Sequence, residues 1–372
     1  YRGWTGCRPQ PPVWNHGSVT TDAMNSLAGG LSPAQRQRAV GTVVAAAAGD
    51  ALGAPYEFQP PVPASEDIDM IGGGVLDWQP GEWTDDTAMA IVVLEASLAA
   101  SDGHDLRVET AQDHIAREWY SWSLGTPDIG TLTSHVVRTA AELAREDGHY
   151  APRAKDFRSA AATAHEQLPA SAGNGSLMRA HVTVLPYLRS SEEDAVEAIT
   201  AVCRLTHVHP DTIEANILWG LAVRHAILTG DIDVRVGLGQ LPAERRAVWL
   251  ERIEEAEEST PEMFRRNGWV VGAFQASWAA ISSVSPIPEG KFAQREALGT
   301  ALRAAVRAGY DTDTIACITG ALMGAALGPK AVLPEWRRML FGWPSYEMAE
   351  LEGLVERVIA PMVDGDGEGS PA

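Results

Sequence analysis

Two segments of this chain consist almost wholly of small apolar residues. Residues 39–54 read AVGTVVAAAAGDALGA, and residues 315–328 read IACITGALMGAALG. Both are too long for typical strands and show no alternation, so they read as helices. Their alanines and glycines let helix axes approach closely, and apolar helices of this length belong in an interior. The first begins with Ser32 as N-cap, Pro33 at the first helical position and Gln35 closing a capping box. Residues 87–100 (TAMAIVVLEASLAA), 212–228 (TIEANILWGLAVRHAIL) and 297–309 (ALGTALRAAVRAG) are Ala- and Leu-rich helices of the same kind. Period-2 alternation appears nowhere over a useful length. The expected fold class is all-α, a compact single-domain multi-helix bundle. No Gly/Ser linker divides the core. Residues 1–31 read as an extension outside it, 32–362 as the domain, and 363–372 as a flexible acidic tail. Residues 59–74 and 286–290 are loops, the first long enough to be functional.

Composition narrows the function. The chain of 372 residues is 45% hydrophobic and holds 12 Trp, enough for a sizeable core. A formal net charge of −20 disfavours nucleic-acid and anionic-membrane partners, which need clustered Lys and Arg. Cys7, Cys203 and Cys317 are far apart and odd in number, which implies neither a zinc site nor a disulfide framework. No apolar run approaches a membrane span, and the N-terminus does not read as a secretory signal. A cytoplasmic monomer is the simplest expectation.

The chemistry is concentrated in two Thr/Asp clusters. Thr84, Asp85, Asp86 and Thr87 lead directly into an apolar helix. One N-cap needs one side-chain oxygen, whereas four oxygen-bearing residues are consecutive here. From Ala39 to Leu106 there is no Lys or Arg, although the interval includes Asp50, Glu57, Asp77, Glu82, Asp85 and Asp86. Adjacent carboxylates entering a buried helix repel each other and lose hydration, so they protonate or recruit a cation. Asp311, Thr312, Asp313 and Thr314 repeat the pattern before the second small-residue helix. Oxygen-only ligands select a hard cation such as Mg²⁺, Mn²⁺ or Ca²⁺. Four carboxylates exceed what one Mg²⁺ usually takes, which favours a two-metal site with ions ~3.5–4 Å apart. An isoprenoid synthase would need an acid where Met89 stands, and an EF-hand would need Asx and Gly where Ile315 and Ala316 stand.

Three further stretches resemble parts of a small-molecule site. Asp128 lies between a Pro and an Ile-Gly in a turn. SAGNGSLMRA (residues 171–180) is a Gly/Asn turn entering a helix, a backbone suited to phosphate or ribose. His207 and His209 precede a helix marked by Pro210 and Asp211, one facing a ligand and one solvated. His104-Asp105 reads as a solvated doublet.

In combination and order, AAAAGDALGAPYE, WTDDTAMA, DIGTLT, GNGSLMR, THVHPD and DTDTIACITGALMGAALG resemble the ADP-ribosylglycohydrolase family, over roughly residues 35–345. The resemblance implies an all-α domain with two Mg²⁺ (Mn²⁺ as substitute) that removes ADP-ribose from a modified protein or small-molecule acceptor. It implies metal ligands at Thr84, Asp85, Asp86, Asp311, Asp313 and Thr314, and catalytic carboxylates at Glu57 and Asp128. Substrate contacts would come from Gly130, Gly173, Asn174, Gly175, Ser176, Met178 and His207. Departures stand at Tyr310, where the family often has Gly or Asn, and at Ala172, where some members have an aromatic residue. They bear on acceptor specificity and substrate stacking. A catalytically silent ADP-ribose or nucleotide binder is the alternative; a nucleotide phosphohydrolase is a third reading.

Overall fold

The computed structural model describes residues 30–100 and 104–362; of the extension expected for 1–31 all but residues 30 and 31, and the tail expected for 363–372, lie outside the described residues. Among those described, fourteen α-helices and a two-stranded hairpin make one all-α domain. The helices are α1 (Pro33–Gly53), α2 (Asp85–Ala99), α3 (Glu109–Ser123), α4 (Thr131–Glu146), α5 (Ala154–Gln167), α6 (Ala180–Thr183) and α7 (Glu192–Cys203). Then follow α8 (Pro210–Thr229), α9 (Ala243–Glu257), α10 (Val270–Ser282), α11 (Lys291–Arg307), α12 (Thr312–Leu327), α13 (Pro334–Met339) and α14 (Met348–Ile359). The hairpin pairs Phe341–Gly342 with Tyr346–Glu347. Residues 59–74 carry no regular element, as expected, and no described helix is long and apolar enough to cross a membrane.

The expected capping box opens α1: Ser32 Oγ accepts from Gln35 N at 3.3 Å, and Gln35 Oε1 accepts from Ser32 N at 2.9 Å. Leu31 is buried, and its N–H donates to Met362 O at 2.7 Å, which joins the two ends of the domain.

The two small-residue segments form its axis. α1 and α12 run antiparallel in backbone contact, flanked by α8, α10, α11 and α14. A Cβ on Gly41 would fall 2.4 Å from Gly328 Cα, one on Gly49 2.1 Å from Ala316 O, and one on Gly53 2.4 Å from Asp313 Cα. From the other side, a Cβ on Gly320 would fall 2.1 Å from Ala45 O. Thr312 Oγ1 closes the contact by donating to Gly53 O at 2.8 Å. Glycine and alanine at these positions bring the end of α1 against the start of α12, so Asp50, Gly53 and Asp313 meet at one mouth. Large side chains pack farther out, where Trp219 and Trp249 each set their rings 5.1 Å from Phe274 at steep angles.

Gly49→Ala should therefore destabilise the protein by about 3 kcal/mol, because the methyl has no space to occupy and the helices must separate. Gly239→Ala, whose Cβ would meet nothing within 4 Å, should change stability by less than about 0.5 kcal/mol. Urea unfolding of both variants checks the contrast; equal midpoints would mean the axis is not backbone-limited.

Candidate active site

α2 starts at Asp85 with Thr84 as N-cap, yet the Thr84 side chain makes no capping bond. Asp50, reaching over from α1, does that work. Its Oδ1 accepts from Thr84 N at 2.9 Å, and its Oδ2 from Thr87 N at 3.0 Å and Thr87 Oγ1 at 2.6 Å. These bonds satisfy amides of the first turn that have no intrahelical partner. The Thr84 hydroxyl is thereby released toward the carboxylates: it lies 3.4 Å from Asp86 Oδ2 and Asp313 Oδ2, and 3.5 Å from Asp85 Oδ1. Thr314 Oγ1 lies 3.3 Å from Asp86 Oδ2. The two Thr/Asp clusters converge, and Asp313 stands between them.

Carboxylate oxygens of Asp50, Asp86 and Asp313 come within 4.8 Å of one another, and so do those of Glu57, Asp128 and Asp313. Asp86 Oδ1, Glu57 Oε2 and Asp128 Oδ2 are buried without a hydrogen-bond partner. Unpaired buried carboxylate oxygens cost free energy unless a proton or a cation meets them. Together with the threonine hydroxyls they form an all-oxygen donor set that fits hard divalent cations.

Electrostatics lead to the same conclusion. Burial is the main cause that pushes Glu57 up to about 10, reinforced by the charges of Asp311 and Asp128. Burial and Asp85 push Asp128 up to about 8. Asp50 and Asp85 are each pushed up to about 6, chiefly by burial. Asp86 and Asp313, fully enclosed and facing like charges, stand well above the usual carboxylate range. One buried cation is close: Arg179 favours the ionised form of Asp85. Nothing in the sequence between Ala39 and Leu106 announced it.

Asp311 joins this acidic half to the glycine turn. Asn174 Nδ2 donates to Asp311 Oδ2 at 2.9 Å and to Asn267 O at 2.9 Å. Asn267 Nδ2 donates to Gly309 O at 2.9 Å, and its Oδ1 accepts from Asp311 N at 3.4 Å. Residues 267–269 thus form a strap: Asn174 N donates to Gly268 O, and Gly173 bridges to Trp269. Tyr310 adopts φ +62° and exchanges backbone bonds with the loop, its N–H to Gln59 O at 2.7 Å and its O from Phe58 N at 2.6 Å. A left-handed backbone explains why Gly or Asn suits this position; a side chain there costs roughly 1–2 kcal/mol.

The remaining expected residues divide into two groups. Gly130 caps α4 and its N–H bonds the Asp85 carboxylate, while His207 lies against Gly173 and Gly175. Ser176 and Met178 are buried beneath the turn: Ser176 Oγ accepts from Asn216 Nδ2 at 2.9 Å, and Met178 packs in the core. His209 caps α8 through a 3.1 Å bond from Asp211 N. Asp105 pairs with Arg107 and accepts from Tyr187 Oη at 2.7 Å, a structural role. Sequence reasoning missed three residues. Asp50 was recognisable as the lone acid within an apolar helix, and Arg179 as the lone cation in SLMRAHVTVL. Asn267, in a plain Asn-Gly turn, carried no signal.

The ADP-ribosylglycohydrolase family model matches residues 31–367. An ADP-ribosylarginine hydrolase, Tri1, of Pseudomonas putida is 27% identical over 92% of this chain and 84% of its own length. The ADP-ribosyl-[dinitrogen reductase] glycohydrolase of Rhodospirillum rubrum is 26% identical over 89% of this chain and 96% of its own. A solved "ADP-ribosylglycohydrolase-related protein complex" superposes with a TM-score of 0.63 at 25% identity, covering 88% of this chain and 98% of that one.

Carboxylates with raised folded pKa values hold protons that the unfolded chain has released. In the metal-free protein this stability is full below about pH 4 and is lost as pH rises through the folded values, to about 8 for Asp128 and about 10 for Glu57. Buried His181 and His207, lowered to about 4 and about 3, oppose this only below their unfolded value near 6.5. In chelator, the melting temperature should therefore fall from pH 6.5 to pH 9. Saturating Mg²⁺ should restore it, most strongly at the alkaline end. A flat melting profile in both conditions would contradict this account of the cluster.

Proposed function

The chain belongs to the ADP-ribosylglycohydrolase family, and on that premise we propose that it is a magnesium-dependent hydrolase. Its substrate would be an acceptor carrying ADP-ribose through a glycosidic bond at the distal ribose C1″. The reading rests on one observation above all: two triads of carboxylates share Asp313, and three of their oxygens are buried without partners. Thr84, Asp85, Asp86, Asp311, Asp313 and Thr314 would hold two hard divalent cations. Bound there, such ions supply Lewis acidity toward the ribose hydroxyls and the attacking water.

The chain's own residues account for the rest of the chemistry. Bond cleavage at a ribose C1″ passes through an oxocarbenium-like transition state and needs one proton donor and one acceptor. Glu57 and Asp128 sit close enough that their titrations are those of a pair. With divalent cations held beside them at Asp313, whose positive charge would lower these raised values, one member would be ionised and take a proton from the water that attacks C1″. The other is protonated and delivers its proton to the departing acceptor atom. Asn174, fixed by Asn267 and Asp311, and the flanking glycines hold the nucleotide side. For the acceptor we propose an arginine guanidinium, the linkage named for the Pseudomonas relative; a cationic group suits an acidic mouth.

The test compares release of ADP-ribose from arginine-linked and serine-linked substrates in Mg²⁺ and in chelator. Release from the arginine-linked substrate is expected, abolished by chelation and restored by Mg²⁺ or Mn²⁺. Asp313→Asn, which alters the shared ligand, should lower turnover at least about 100-fold. Glu57→Gln and Asp128→Asn should each lower it roughly 100-fold or more while leaving Mg²⁺ binding measurable by calorimetry. Undiminished release in chelator would overturn the metal reading. ADP-ribose bound but never released from any substrate would mark a silent binder, and phosphate released instead would mark a phosphohydrolase.

A further inference from the structure

Arg179 is fully buried, lies 3.9 Å from Met89 Sδ in the core, and turns both terminal nitrogens toward the nucleotide side of the site. Its Cζ sits 4.4 Å from the ring centroid of Trp119. One terminal nitrogen, Nη1, donates to Gly175 O in the glycine turn; the other, Nη2, donates to Thr206 Oγ1 at 2.6 Å. Thr206 Oγ1 is in turn 2.7 Å from His207 Nδ1. The far edge of that ring lies over the turn: a Cβ on Gly173 would sit 3.5 Å from Nε2, and one on Gly175 3.5 Å from Cε1. Among the described residues nothing bonds Nε2, although His207 is only 1% exposed.

Counting donors settles which way the bonds run. A guanidinium donates and never accepts, so Thr206 Oγ1 is the acceptor in its bond with Arg179. The threonine hydroxyl then has one hydrogen of its own to place, and His207 Nδ1 is the acceptor beside it. Were Nδ1 the donor, a fully buried hydroxyl hydrogen would be left without a partner, a costly arrangement. The ring hydrogen therefore sits on Nε2. Burial and the neighbouring guanidinium also keep the ring neutral, since both push His207 down to about 3.

We propose that Arg179 and Thr206 are positioning residues that hold His207 as a neutral Nε2–H donor aimed at the Gly173–Gly175 turn, so that this end of the site accepts an anionic phosphate oxygen. Assigning that oxygen to the diphosphate of an ADP-ribosyl group rests on the proposed function. The orientation of the ring does not.

The experiment uses the full chain and reads the imidazole directly. Long-range ¹H–¹⁵N spectra of the ligand-free protein, with the His207 signals assigned by their loss in His207→Gln, should show hydrogen on Nε2 and a hydrogen-bonded Nδ1. In Thr206→Val the Nδ1 signal should move to that of an unbonded acceptor. ADP-ribose affinity by calorimetry should weaken about tenfold, the loss expected when a bond to a charged group is misaimed. Mg²⁺ affinity should stay unchanged, and Thr206→Ser should restore both the Nδ1 signal and the ADP-ribose affinity. Hydrogen on Nδ1 in the wild-type protein overturns the proposal, and this reading needs neither Thr206 variant to fold. Unchanged ADP-ribose affinity in Thr206→Val overturns it too. An Nε2–H ring in a protein with no affinity for ADP-ribose supports the relay and removes the hydrolase reading, so the two failures are distinguishable.

Discussion

The contact between α1 and α12 is made by main chain, and the rest of the molecule is arranged around that fact. Side chains normally keep helix axes 8–10 Å apart; here glycines at 41, 49, 53, 320 and 324 remove that spacer. The result is a narrow seam whose end presents Asp50 from one helix and Asp313 from the other. Everything chemical in the domain lies at that end. α2, with its two aspartates, abuts it. The loop carrying Glu57 leaves it, and the 267–269 strap crosses beside it.

A buried group of like charges works against folding, and the surrounding structure shows how the chain tolerates it. Asp50 is given three hydrogen bonds, Asp311 is held by Asn174, and Asp85 receives the Gly130 amide. Asp86, Glu57 and Asp128 are left with bare oxygens. Protein donors thus hold part of the first three carboxylates, while Asp86, Glu57 and Asp128 each keep an oxygen available. Such a division fits a site that stores unfavourable electrostatics for use by a ligand.

Much of this was legible from local pattern. The capping box at Ser32, the long Ala/Leu helices and the two Thr/Asp clusters are properties of short windows, and each stands where the sequence placed it. The convergence of residues 84–86 with 311–314 followed from the oddity of two Thr/Asp clusters of like composition, both uncompensated, rather than from any rule of distance. What was not legible is what depends on packing. Asp50 looked like one acid among many because its partners, Thr84 and Thr87, become neighbours only after α1 and α2 dock. Arg179 drew no reading of its own within the glycine-turn motif, whereas it is stacked on Trp119 and enclosed. Asn267 belongs to an Asn-Gly pair that ordinarily marks a turn, and nothing local distinguishes a turn from a strap.

Asp50's service to α2 also decides what kind of object the Trp-Thr-Asp-Asp-Thr segment is. In most binding motifs the ligating residues and the turn that orients them come from one short stretch, so the stretch can be cut out and grafted elsewhere. Here the first turn of α2 is completed by an atom from a different helix, and Thr84 faces the carboxylates because that outside atom relieves it of capping. The segment is therefore not portable. Spliced into another scaffold it would revert to an ordinary helix start, with its threonine turned back onto its own amides.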